Sequence, residues 1–197
     1  MEKILLINGS KHFGHSKGEL NYHLSQIAER YLTEHNVEVK KTVIDNGYVP
    51  TEEIDKILWA DVLIYQMPVW WMGLPWSVKK YIDEVFTEGH GQLYQNDGRT
   101  RSDVTKKYGS GGLLHNKKYM LSVTWNAPEE AFEDPNQLFQ GVGVDGVFLP
   151  MHKAQQFLGM TPLPTFMCND VIKAPQIEKD IVRYQQHLHN VIIVDAD

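Results

Sequence analysis

The chain has 197 residues, 42% of them hydrophobic, a formal net charge of −6 and a single cysteine, Cys168. That length suits one domain, residues 1–197, able to bury roughly 70% of the surface its unfolded form exposes, and a lone cysteine offers neither an internal disulfide nor a zinc tetrad. A mean hydropathy of −0.37 and a pI near 5.8 argue against a membrane span and against nucleic-acid or anionic-membrane partners, which select a basic face, so small-molecule chemistry in the cytoplasm is the expectation.

In chain order, Lys3 to Ile7 is the first strand, its apolar run Ile4 to Ile7 being too short for a signal-peptide core. The loop that follows, through Gly9, Gly14 and Gly18, fails the G-x-G-x-x-G spacing of a dinucleotide fingerprint. It comes nearer to a P-loop, but His15 stands where that motif needs lysine, and the third strand ends in Gln66 rather than an Asp that could help hold magnesium. Nucleotide-triphosphate hydrolysis is therefore disfavoured. Ser16-Lys17-Gly18-Glu19 has the S-x-x-E form of a capping box. It predicts a helix over Gly18 to His35 with Leu20, Leu24, Ile27, Ala28 and Leu32 on one face, and with free N–H groups turned into the loop, where they attract anions. A purely structural cap is the plainer alternative for Ser16, and the charge of Glu19 opposes an anion.

Val37 to Val43 reads as the second strand and Asp61 to Gln66 as the third. The third runs into MPVWWMGLPW, residues 67–76, where indoles and thioethers at a strand end can stack on a planar ring while Pro68 and Pro75 restrict the backbone. Trp76, entering a helix that carries Val78, Ile82, Val85 and Phe86, is expected to face the sheet. Trp70 and Trp71, adjacent in a loop, cannot easily share one core. Gly89 to Asn116 shows no period, so an irregular insertion is expected at about 89–117, serving a site or a partner subunit. The fourth strand, Lys118 to Thr124, leads into TWNAPEEAF, where Thr124 and Asn126 offer hydrogen bonds and Trp125 another flat face. Pro164 to Asn169 is the fifth strand, and a helix from Gln176 to about Val191 closes the series.

Strands alternating with helices imply a three-layer α/β domain with a parallel sheet, its ligand lying beyond the carboxyl ends of the strands. Three consecutive strand ends offer an anion site, an aromatic platform and a polar clasp. A phosphorylated planar cofactor fits all three, and flavin is the economical choice.

The blocks QMPVWWMGLPWSVKKYIDEVFTEGHG, DGRTR, KKYGSGGL, KYMLSVTWNAP and VGVDGVFLPMHKAQQFLGM closely resemble the bacterial NAD(P)H:quinone oxidoreductases of the modulator of drug activity B type, relatives of the DT-diaphorases. The resemblance implies a flavodoxin-like fold with a five-stranded parallel sheet of order 2-1-3-4-5, FAD rather than FMN, NADPH or NADH as hydride donor, a quinone substrate and a homodimer. It places the FAD phosphates around Ser16, Lys17, Gly18, Leu20 and Asn21, and the ring against Val69, Trp70, Trp71 and Met72 with Pro68 beside them. Further contacts fall at Thr124, Trp125, Asn126 and Ala127, and Tyr108 reaches the flavin of the neighbouring subunit. Ping-pong hydride transfer is the implied mechanism. Backbone N–H groups of Trp125 to Ala127 are candidates to stabilise charge near flavin N1. No catalytic residue is assigned: His152 and Tyr108 are candidate proton donors, although an isolated His in an amphipathic segment is more often structural. Arg99, Arg101, Lys106, Lys107, Lys117 and Lys118 are candidates to favour NADPH over NADH, with a solvated loop or a dimer contact as the plainer reading. A flavodoxin-type electron carrier and a redox-sensing regulatory subunit are the rival functions.

Overall fold

Strands that read as continuous runs of Val, Ile and Leu must be covered on both faces. The computed structural model, which describes residues 2–194, shows that cover. Strands β1 (Lys3–Asn8), β2 (Glu38–Val43), β3 (Val62–Pro68) and β4 (Lys118–Thr124) form a parallel sheet in the order β2-β1-β3-β4. The fifth position is divided. Strand β5 (Thr161–Pro162) pairs with the start of β4 and β6 (Phe166–Cys168) with its end, both parallel. Strand order thus agrees with the expected 2-1-3-4-5, and the expected strand from Pro164 contracts to Phe166–Cys168.

Helices α1 (Glu19–Glu34) and α7 (Ile177–Leu188) cover one face, where Ile4, Leu6, Ile64 and Met120 meet Leu24, Ala28, Tyr184 and Leu188. A turn of π-helix, His189–Ile193, extends α7. Across the sheet, α2 (Pro50–Trp59), α3 (Trp76–Glu88), α4 (Glu130–Glu133), α5 (Gly143–Val147) and α6 (Leu149–Phe157) pack with Leu5, Leu63, Tyr65 and Leu121. Consecutive strand residues serve opposite layers because side chains alternate across the pleat. The three-residue tail end, 195–197, lies outside the described residues.

Helix α2 closes over a charge. Glu53 is 1% exposed. Its Oε2 accepts hydrogen bonds from Thr42 Oγ1 (2.7 Å) and the Tyr81 hydroxyl (2.9 Å), and its Oε1 meets Lys56 Nζ at 2.6 Å. Lys56 Nζ also donates to Thr42 Oγ1 at 3.0 Å. One carboxylate therefore joins β2, α2 and α3.

The segment 89–117 holds turns and no long helix or strand, and it is tied down. Gln95 N–H donates to Gly111 O and Gly109 N–H to Asp97 O, at 2.8 and 2.7 Å, while Leu93 and Leu114 are buried. Among the described residues no helix is long and apolar enough to cross a membrane.

Candidate functional site

The carboxyl ends of β1, β3 and β4 lie side by side, since Asn8 pairs with Gln66 and Pro68 with Thr124. Beneath them is a buried polar floor. Gln66 Nε2 donates to Asn21 Oδ1 (2.9 Å), Asn21 Nδ2 to Thr124 Oγ1 (2.8 Å), and Ser122 Oγ to Gln66 Oε1 (2.8 Å). All four side chains are at most 4% exposed. Asn21 comes from the first turns of α1, so this network pins that helix to the strand ends.

Above the floor opens a cavity of about 460 Å³, within the range of small-molecule sites. Its walls bring together most of the residues singled out in the sequence: Ser16, Lys17, Gly18, Leu20 and Asn21 from the first loop and helix, Pro68, Val69 and Trp70 from the second, Thr124 and Asn126 from the third. Residues His15, Glu19, Val171 and Ile172 complete it. The last two follow β6, and their part in the site had no signal in the sequence beyond their place after a strand.

Local structure corrects the capping box. Ser16 and Phe13 exchange both backbone hydrogen bonds at 2.9 Å, closing a tight turn. Helix α1 then starts three residues later, at Glu19, after Gly18 as N-cap, with no side-chain cap. Ser16 Oγ only accepts a 3.3 Å bond from Gly18 N–H, and Glu19 falls at the first helical position instead of the third. The consequence favours a ligand: the N–H groups of Glu19, Leu20 and Asn21 are left without helical acceptors at the cavity wall.

Gly18 has φ +76°, and a Cβ there would stand 3.1 Å from the Lys11 backbone. A left-handed conformation costs a non-glycine residue roughly 1–2 kcal/mol, so Gly18→Ala is expected to lower the melting temperature and weaken flavin binding about tenfold. Fluorescence titration of the apoprotein with flavin checks this; undiminished affinity would show that the Gly18 turn does not shape the cavity.

The tryptophan loop also departs from expectation. Trp70 and Gly73 exchange backbone bonds at 3.0 and 3.2 Å, and the two residues between them, Trp71 and Met72, have φ +47° and +64°. Two successive non-glycine residues in the left-handed region make a strained turn of the kind usually built from Asn-Gly. It holds the Trp71 side chain 96% exposed and Met72 half-exposed, both outside the cavity lining. Trp76 does not face the sheet: it is 50% exposed and packs with Phe13 (ring centroids 4.7 Å) and Trp70 (5.4 Å). Phe13 in turn lies 5.0 Å from Trp70. The reason is the helix start, where the chain enters from the loop side and Val78, not Trp76, becomes the first buried position.

Trp125 is likewise not a flat face of the site. Thr124 points to the α1 layer, so the next residue turns the other way, and the indole is buried against Phe132 (4.8 Å) and Phe139 (5.2 Å). The Trp125 backbone N–H donates to Cys168 O at 2.9 Å, which removes it from the candidate donors to a flavin and leaves those of Asn126 and Ala127. Asn126 Oδ1 accepts from the N–H groups of Ile172 (3.2 Å) and Lys173 (2.9 Å), and Ala127 O from Asp170 N–H (3.1 Å), so both residues position the cavity wall.

Tyr108, 70% exposed, packs at a tilt against Phe157 (5.6 Å) and under the Arg99 guanidinium (5.4 Å), away from the cavity lining. Arg99 is also paired with Asp97. Lys117 donates to the carbonyls of Leu58 and Ala60, and with Lys118 it sits at the amino edge of β4, the opposite end of the sheet from the cavity. Lys106 and Lys107 line a separate hollow within the insertion. His152 is structural: its Nδ1 meets the buried Tyr119 hydroxyl at 2.8 Å and its Nε2 the Asp145 carboxylate at 3.1 Å. That contact holds the Asp145 carboxyl below its ordinary range. Burial, followed by the nearby Asp180 carboxylate, pushes the Cys168 thiol up to about 12, so it carries no thiolate at neutral pH. Among the described residues no group of three or more His, Cys, Asp or Glu could hold a metal.

A parallel sheet of this order, with an uncapped helix start and an aromatic loop flanking a cavity at its carboxyl edge, defines an α/β protein of the flavodoxin class. A family model described as flavodoxin-like fold matches residues 2–190. The NADPH:quinone oxidoreductase MdaB of Haemophilus influenzae is 56% identical over 188 residues, covering 95% of this chain and 98% of its own. The chain belongs to the flavodoxin-like fold family and, within it, to the quinone oxidoreductases of the modulator of drug activity B type. Among solved structures, a candidate quinone reductase from Klebsiella pneumoniae has a TM-score of 0.76 at 23% identity, covering 96% of this chain and 85% of its own. General stress protein 14 of Treponema denticola, solved in complex with FMN, has a TM-score of 0.70 at 19% identity, covering 96% and 99%.

Proposed function

We infer that this chain is a cytoplasmic flavoenzyme that reduces quinones by two electrons with NADPH or NADH, binding FAD and working by a ping-pong mechanism as a homodimer. The observation that carries the reading is the cavity, whose two chemically distinct ends match the two ends of a flavin nucleotide. At one end the free N–H groups of Glu19 to Asn21 and the ammonium of Lys17 suit a diphosphate. At the other, Pro68, Val69 and Trp70 present an apolar wall to a planar ring.

A flavin held there by Lys17, the Glu19 to Asn21 N–H groups and the wall of Pro68, Val69 and Trp70 would supply the hydride-transfer chemistry that links NAD(P)H to a quinone. The chain's own residues orient and polarise. The floor of Asn21, Gln66, Ser122 and Thr124 holds the walls in place, and the N–H groups of Asn126 and Ala127 stabilise negative charge on the ring. Trp71 and Met72 of the same chain, with Tyr108 of the partner subunit, close the ring's outer side. The exposure of Trp71 beside the cavity (96%), and of Val104 and Tyr108 in the insertion (92% and 70%), leaves apolar surface that a second copy would cover. FAD over FMN rests on the resemblance to FAD-binding relatives, while FMN is the flavin of the Treponema neighbour.

Purified protein is expected to be yellow, to release FAD on heating as identified by mass, and to oxidise NADPH rapidly when menadione is supplied. Protein that is colourless and takes up neither FAD nor FMN in excess would remove this reading. A bound flavin without turnover would favour the electron carrier instead.

A further inference from the structure

The insertion encloses a hollow of about 570 Å³ that the flavin reading does not use. Two arms of the segment, 95–98 and 109–112, cross to form it. Gln95 N–H donates to Gly111 O at 2.8 Å, and a Cβ on Gly98 would fall 2.1 Å from Ser110 Oγ, as one on Gly111 would from Asn96 O. Glycine at both positions lets the arms touch. The crossing also fixes the chain before it: Ser110 Oγ donates to Lys107 O at 2.7 Å and Lys106 N–H to Asp103 O at 3.4 Å, so both lysine backbones are held at the wall.

The lining is positive. Lys106, Lys107, Thr100, Thr105 and Ser110 bring ammoniums and hydroxyls, and among the described residues no carboxylate borders the hollow. The nearby Asp97 and Asp103 are engaged within the loop. Asp97 accepts from the Arg99 N–H and Nε, each at 2.9 Å, and Asp103 from the Thr105 hydroxyl at 2.6 Å and N–H at 3.0 Å. Among the described residues neither lysine ammonium comes within ion-pair distance of a carboxylate, and Asp103 acts on Lys106 only from beyond it. In a chain of net charge −6, two uncompensated cations on one hollow make a local anion trap. Of the other basic residues weighed for nucleotide preference, Arg99 is paired with Asp97, Arg101 is outside the lining, and Lys117 and Lys118 lie at the far end of the sheet.

We propose that Lys106 and Lys107 bind the 2′-phosphate of NADPH, with the Thr100, Thr105 and Ser110 hydroxyls around it, and that each hollow serves the flavin of the partner subunit. The inference rests on the quinone-reductase reading, which supplies both the nucleotide and the placing of Tyr108. Tyr108 adjoins Lys107, their Cα atoms about 3.8 Å apart, so a subunit that brings Tyr108 to its partner's flavin brings this hollow with it. The flavin's diphosphate is met by Lys17 and the N–H groups opening α1, which leaves the hollow to a phosphate carried by the exchanging nucleotide. A phosphate monoester is close to a dianion at neutral pH and accepts charge-assisted bonds from both ammoniums, whereas NADH offers a hydroxyl there.

Calorimetry on the flavin-loaded protein tests this with 2′,5′-ADP and 5′-AMP as probes. In the wild type 2′,5′-ADP is expected to bind roughly 10–100-fold more tightly. The double variant Lys106→Gln/Lys107→Gln should lose most of that difference, and Lys106→Arg/Lys107→Arg should keep it. The ratio of kcat/KM for NADPH over NADH should fall by a similar factor in the glutamine variant, through NADPH alone. Equal binding of the probes to the wild type, or a preference unchanged by the glutamine pair, overturns the proposal. So does a protein that turns over quinone while running as a monomer in gel filtration. Discrimination between the probes without any quinone turnover would remove the functional reading and leave the phosphate site standing. Normal turnover by a dimer that binds both probes alike would do the reverse.

Discussion

Glu53→Ala is expected to destabilise the protein by about 3–5 kcal/mol, because removing one member of a buried ionic network strands the others. The substitution leaves the Thr42 and Tyr81 hydroxyls and the Lys56 ammonium without their shared acceptor, in a region where Glu53 is 1% exposed. It also leaves a cavity where one methylene and a carboxylate stood. Glu53→Gln keeps the shape and one acceptor and should cost less than half as much. Urea midpoints at constant m-value measure both. A loss under 1 kcal/mol for the alanine variant would mean that water reaches the site and the three side chains find other partners.

Trp70→Ala is expected to weaken flavin binding about a hundredfold. Stacking adds about 0.5–1.5 kcal/mol beyond burial, and the apolar area lost adds a further 1.5–3 kcal/mol or so. Trp70 is also the middle of a clasp: its ring lies 5.0 Å from Phe13 and 5.4 Å from Trp76, so it joins the loop after β1 to the loop after β3. Removing it frees both loops together. The variant's affinity, followed by quenching of flavin fluorescence, should fall far more than that of Trp125→Phe, whose side chain lies in the opposite layer of the core. Comparable losses for the two would place the ring system away from Trp70.

Much of the fold was legible because the layers obey simple periods. β1, β3 and β4 are largely apolar runs, interrupted in β3 by Gln66 and in β4 by Ser122, and α1, α3 and α7 carry apolar residues at helical spacing. Helix α2 escaped a reading by apolar period for a physical reason: its buried face runs through Glu53, Ile54 and Ile57, and a buried carboxylate breaks the pattern. Pro50 at its start and two acidic residues in its first turn are the signals that could have marked it. At the site, residue types picked out three loops that the structure brings around one cavity, since a hollow at a parallel sheet's carboxyl edge is bordered from there. They could not say which way each side chain turns. Ser16 looked like a cap until the Phe13–Ser16 turn moved the helix start. Trp76 and Trp125 exchanged their expected places, because one residue of phase along a strand or helix entry decides between core and solvent.

Asn21, Gln66, Ser122 and Thr124 find their partners inside the chain alone. A floor completed at folding is preorganised: an entering cofactor meets walls already at their final separation, and little of its binding energy is diverted into arranging them. Uptake should therefore resemble a key entering a lock, fast and without a slow rearrangement after the first encounter.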